Sequence, residues 1–188
     1  MKIISKRISY VDNNKLSTII ILPEQSSIIN ALMGAWLAMW LTIGITVISC
    51  LFILSLNQQE KIILYIFLSF WLYYSITVGK TFIWRMVGKE LIKIDELGIH
   101  IKKSIFNYGK AIPFYFEHIE SFRIDVVEKK TLQAVWESSP WIKGKDSIFF
   151  DYKGKTHGLG RKIDEQEAQI LLKLIKKNRA KFKFKSKI

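Results

Sequence analysis

The sequence predicts a membrane α-hairpin of two transmembrane helices joined to an α+β domain, and three observations carry that prediction. No residue with a formal charge occurs from Ile28 to Leu56 or from Ile62 to Gly79, and each run reaches the about 18 uncharged, mostly apolar residues of a crossing helix. After Gly88 the apolar residues fall into short runs, several of them alternating, broken by turn signals, the pattern of an antiparallel sheet. Near the C-terminus the period changes again, to that of one amphipathic helix.

Ahead of the first apolar run, Ile4, Ile8 and Tyr10 and then Leu16 to Leu22 read as two strands around the turn signal Asp12-Asn13-Asn14. An isolated hairpin is marginal in water, so these strands are expected to pack on the C-terminal domain or on the membrane surface. Pro23 ends the second strand, and Ser26-Ser27 supplies an N-cap for the helix that follows. The basic start Met1 to Arg7 is not followed by a short apolar core with a cleavage site, so no cleaved signal is expected.

The first long helix, Ile28 to about Leu56, carries Gly34, Trp36, Trp40 and Gly44. Trp36 and Trp40 are one turn apart and Gly44 is a further turn along, which predicts a face for close helix–helix packing, within the chain or against another. The second helix, Lys61 to Met86, ends in Lys80, Trp84 and Arg85, expected as interfacial anchors with Lys80 snorkelling to the headgroups. Neither apolar run holds an ionisable residue deep inside, which argues against a proton relay or a charged pore.

Strands are expected over 90–95, 98–103, 108–115, 119–127, 147–152 and 155–159, forming a sheet that curls. Asp164 at the N-cap and Glu167 at N3 begin the closing helix, whose apolar stripe is Ile170, Leu171, Leu174 and Ile175. Between Glu128 and Asp146 the pattern fails, which marks a long loop. The expected division is a β-hairpin at 1–27, the transmembrane hairpin at 28–87, the domain at 88–178 and a basic tail at 179–188.

The run Lys15 to Glu24, the paired tryptophans of Gly34 to Trp40, and the stretches from Gly88 to Ile124 and Phe149 to Lys177 resemble bacterial two-helix membrane proteins with a cytoplasmic pleckstrin-homology-like domain. The resemblance covers most of residues 10–178, and its motifs are turns, caps and core positions. It implies a PH-like curled antiparallel sheet or barrel closed by one C-terminal amphipathic helix.

Charge narrows the functional classes. The chain has a formal charge of +13, and residues from Lys80 onward hold 24 Lys and Arg against 13 Asp and Glu. Both termini are therefore expected on the cytoplasmic side, with the Asn57–Lys61 link outside. The Lys-, Ile- and Asn-rich vocabulary is that of an AT-rich bacterial genome, so the expected location is a bacterial inner membrane.

Lys102, Lys103, Lys155, Arg161, Lys162, Lys181, Lys183 and Lys185 are the candidate contacts to anions or an anionic lipid surface. Those from Gly154 to Lys162 lead into a helix N-terminus, where backbone N–H groups can also hold an anion. Asp164, Glu165 and Glu167 compete for that place. No P-loop or His-Glu-x-x-His occurs, and the one cysteine, Cys50, lies in an apolar run, so no catalytic set, cofactor or metal site is expected. The expectation is a membrane-anchored scaffold or accessory subunit binding a protein partner, a second copy or the anionic leaflet. The alternatives are a membrane enzyme using Glu117, His118 and His157, and a small oligomeric channel or transporter component. Nucleic acid is not expected, because no stacking motif or recognition helix accompanies the charge.

Overall fold

The computed structural model describes residues 2–13, 16–125 and 139–185. The chain divides into two units. One comprises Met1–Glu24, Val87–Ser139 and Gly144–Ile188, and the other Gln25–Met86 with Pro140–Lys143.

In the helical unit, α1 spans Ser27–Ile53 and α2 spans Gln58–Val87. Both are long and apolar enough to cross a membrane, and only 6% of each helix's most apolar window is buried inside the protein. Ser26 caps α1 by accepting from the Ile29 N–H. At the start of α2, Asn57 and Glu60 each accept from the other's backbone N–H at 2.9 Å, a capping box that fixes the turn between the helices.

The second unit is α+β. Strands β1 (Lys2–Ile3), β2 (Ile8–Asn13), β3 (Leu16–Ile21), β4 (Gly88–Ile94), β5 (Gly98–Ile105) and β6 (Ala111–Tyr115) form one antiparallel sheet in that order. A second sheet holds β7 (Ile119–Ile124), β8 (Asp146–Tyr152) and β9 (Lys155–Arg161), also antiparallel. Helix α3 runs from Glu165 to Lys185. Among the described residues the strands form two sheets and no closed barrel. A single 3-10 turn, Phe116–His118, intervenes between β6 and β7, which belong to different sheets.

The N-terminal hairpin is not a separate domain. Strand β3 pairs with β4, with Ile21 opposite Glu90 and Ile19 opposite Ile92, so the apolar helices are an insertion between neighbouring strands. Two antiparallel helices bring their outer ends together, which is what an insertion into a strand pair requires. Ile8, Ile19 and Ile21 thereby enter the same core as Ile92, Ile99 and Ile148.

The boundary expected at residue 178 is also moved. Asn178 and Phe182 continue the stripe of Ala168, Leu171 and Ile175, and all five are buried, so the helix carries on to Lys185. Asn178 Oδ1 accepts from Tyr10 Oη at 2.9 Å and Ser17 Oγ at 3.0 Å, tying α3 to β2 and β3. The Glu128–Asp146 loop falls mostly on residues outside those described. Of its remainder, Asp146 opens β8, and Trp141 lies edge-on to Trp36 with centroids 5.4 Å apart.

Candidate functional site

Alternation along β4 puts Glu90 on the face of Ile92 and Ile94, and the β4–β5 register sets Lys103 directly opposite it. A carboxylate on a core face needs partners. Glu90 is 1% exposed, and its Oε2 accepts from the backbone N–H of Gly160 at 3.1 Å and of Arg161 at 3.3 Å. Lys103 Nζ donates to both oxygens of Asp146, at 2.9 and 2.7 Å, and to the Gly158 carbonyl at 3.3 Å. Arg161 lies 3.7 Å from Asp146. These four ionisable groups join β4 and β5 of the first sheet to β8 and β9 of the second.

Burial pushes the Glu90 carboxyl above its ordinary value, and the Asp146 charge adds to the rise. Lys103, Arg161 and the backbone hydrogen bond from Arg161 oppose it without reversing it. Glu90 Oε1 and the neighbouring strand's Ser104 Oγ are buried without a hydrogen-bond partner among the described residues. Chemically the cluster is a closed charge-compensated clamp. Its cations are turned onto its own carboxylates and carbonyls rather than outward.

Among the described residues, the cations named from the sequence are not gathered into one basin. Lys103 and Arg161 belong to the clamp, and Lys162 Nζ donates to the Ser139 carbonyl at 2.6 Å. Lys155 is exposed beside the β8–β9 turn, opposite Tyr152 in register, at the far end of β9 from Arg161. Lys102 Nζ donates to the Asn107 carbonyl at 2.9 Å, and Lys181 pairs with Asp12 at 2.7 Å. The side chains of Lys183 and Lys185 lie outside the described residues. The start of α3 is filled by Asp164, whose Oδ1 accepts from the Glu167 N–H at 2.7 Å.

Glu117 and His118 are exposed. His157 is half-buried among the rings of Phe114, Phe150 and Tyr152, while His118 meets the Tyr152 ring at 5.9 Å. No group of three His, Cys, Asp or Glu suited to a metal ion occurs among the described residues.

In the helical unit, Trp36 and Trp40 stack with centroids 5.1 Å apart. The face they share with Gly44 meets α2: Trp40 and Trp71 are hydrogen-bonded to each other's backbone, and Gly44 sits against the Trp71 ring. Gly34 faces Phe82. At the end of α2 Lys80 is exposed, and Trp84 and Arg85 are buried within the protein. Arg85 Nε donates to Asn30 Oδ1 at 3.0 Å, and the Arg85 carbonyl accepts from Gln25 Nε2 at 3.1 Å, joining the end of α2 to the start of α1.

Two signals in the sequence point to what the charge clusters did not. Glu90 falls in phase with Ile92 and Ile94, a carboxylate on a core face, and Asn57-x-x-Glu60 is a capping-box pattern. No family model, curated protein or solved structure matches the chain.

Proposed function

We propose that this chain is a multi-pass membrane protein in which the two apolar helices cross the bilayer and hold the α+β domain at its surface, as a scaffold or accessory subunit. One observation carries the reading. The apolar hairpin is inserted between the paired strands β3 and β4, with five residues between Ile21 and Ser27 and none between Val87 and Gly88. A domain tied at both strands has little reach away from the bilayer, which suits a platform that docks a partner. The helices support the membrane step, because large apolar side chains such as Phe52 and Tyr73 remain 85% and 63% exposed and need a lipid environment. The distribution of Lys and Arg favours both termini in the cytoplasm of a bacterial cell. The pleckstrin-homology likeness is part of the same proposal and rests on a sheet packed against a C-terminal helix.

Capture of the full chain from its native membrane in mild detergent, followed by mass spectrometry, tests the accessory role. A stoichiometric companion is expected, and recovery of the chain alone overturns it. The enzyme alternative has one observation in its favour, the approach of His118 and His157 to the ring of Tyr152. Alanine at Glu117, His118 and His157 together leaves cellular function intact if the scaffold reading holds. Ion flux from loaded vesicles decides the channel alternative.

A further inference from the structure

The turn joining β5 to β6 departs from what its backbone favours. Ile105 and Tyr108 exchange backbone N–H···O=C hydrogen bonds, both 2.9 Å, around Phe106 and Asn107, whose φ angles are 50° and 69°. Two successive left-handed residues make a type I′ turn, whose first position favours Asn, Asp or Gly. A phenylalanine there is strained by its Cβ, and strain retained at an exposed position is a reason to look for function. Phe106 is 64% exposed and Tyr108 83%, so burial within the chain does not offset that strain.

The register places this turn. Gly88 pairs with Ile105, and Gly88 directly follows the last residue of α2. Paired residues lie about 5 Å apart, so the turn stays beside the point where the chain leaves α2 whatever the domain's orientation. Lys102 reaches the turn through the Asn107 carbonyl, and Lys110 follows it, exposed. Aromatic rings flanked by lysines are the composition of a membrane–water interface, where the ring enters the acyl boundary and the ammonium stays with phosphate.

We propose that the Ile105–Tyr108 turn is a further membrane contact, with Phe106 and Tyr108 seated in the headgroup zone of the leaflet at which α2 ends and anionic phospholipid as the ligand of the adjoining lysines. The inference rests on α1 and α2 crossing a bilayer, and its test separates the two claims.

The full chain, with Cys50→Ser removing the native thiol, carries one cysteine at a time bearing a polarity-sensitive fluorophore: Phe106→Cys, Tyr108→Cys, Leu97→Cys in the β4–β5 turn at the other end of the sheet, or Ile45→Cys on α1. Each is reconstituted alone into phosphatidylcholine vesicles with or without phosphatidylglycerol. The expected result is blue-shifted emission at 106 and 108, quenching by headgroup-proximal lipid nitroxides, and several-fold weaker quenching by aqueous iodide than at 97. Phosphatidylglycerol strengthens the difference. Iodide quenching at 106 and 108 equal to that at 97 overturns the proposal, and so does protection that disappears as the lipid-to-protein ratio is raised, since a second copy would then be the cover. A probe at 45 in lipid with 106 in water removes the turn contact alone. A probe at 45 in water removes the membrane hairpin itself.

Discussion

Trp40 and Trp71 exchange hydrogen bonds across the helical hairpin, the Trp40 indole donating to the Trp71 carbonyl at 3.3 Å and the Trp71 indole to the Trp40 carbonyl at 2.8 Å. The Trp40 carbonyl has a second lone pair beyond the one used in its own helix, whereas the Trp71 carbonyl also accepts from Ser75 Oγ at 2.7 Å and shares its remaining capacity with the longer Trp40 bond. Trp71→Phe keeps an aromatic ring and removes one donor. The expected loss is about 1 kcal/mol, the scale of interhelical hydrogen bonds in membrane proteins, measured as a shift in the unfolding midpoint in mixed micelles.

Gly44 is held to that same ring by volume rather than by polarity. A Cβ at position 44 would fall on Trp71 Cε2, far inside contact distance. Gly44→Ala therefore pushes the helices apart or turns the indole away, at an expected cost of about 1–3 kcal/mol. The pair is non-additive: Gly44→Ala measured in a Trp71→Ala background costs much less, because the ring it meets is gone.

The pairing of β3 with β4 dictates how a soluble form must be cut. A fragment of residues 88–188 lacks β1–β3, and with them Ile8, Ile19 and Ile21, which are 0%, 0% and 3% exposed. Removing three buried isoleucines forfeits about 5–9 kcal/mol, comparable with the whole stability of a domain. The fragment is expected to be unfolded by circular dichroism. Joining Leu22 to Lys89 through a short Asn-Gly turn restores the pair Ile21–Glu90, and that chain is expected to unfold cooperatively and in soluble form.

That contrast separates what local pattern can say from what it cannot. The helices are legible because lipid-length apolar runs are written residue by residue, and the start of α3 because Asp164 and Glu167 satisfy the first turn locally. Strand partners are different. Ile21 meets Glu90 across the whole apolar insertion, and no neighbour of either residue encodes that meeting. The same holds for the clamp, since Lys103 and Asp146 read as two surface charges until the sheets are brought together. The end of α3 was hidden for another reason: Lys181, Lys183 and Lys185 resemble a solvated tail, while the buried Phe182 between them keeps the helical phase of Leu171 and Ile175.

Glu90 gives the domain a pH dependence of definite sign. An acid whose native pKa is raised above its unfolded value binds more protons when folded, so its contribution is complete below about 4.5 and is lost as pH rises through the native pKa. Glu90→Gln keeps an acceptor for the N–H groups of Gly160 and Arg161 and abolishes the titration. The variant is expected to be at least as stable as the parent at neutral pH and to show a flatter stability profile above about pH 5, read from denaturant midpoints of the two proteins across that range. A parallel slope in both would assign the dependence to other groups.

Phe106 separates stability from membrane contact. Asparagine visits the left-handed region with little penalty, whereas phenylalanine at φ 50° carries a strain of roughly 1 kcal/mol. In detergent Phe106→Asn is therefore expected to raise the unfolding temperature, an uncommon sign for replacing an aromatic residue. In vesicles the same substitution removes the ring proposed to enter the headgroup zone, and a fluorophore at Tyr108→Cys is expected to become several-fold more accessible to iodide. A gain in stability together with a loss of protection is the pair of results that strain retained for lipid contact requires. Stabilisation with unchanged protection at 108 would leave the strain unrelated to the membrane.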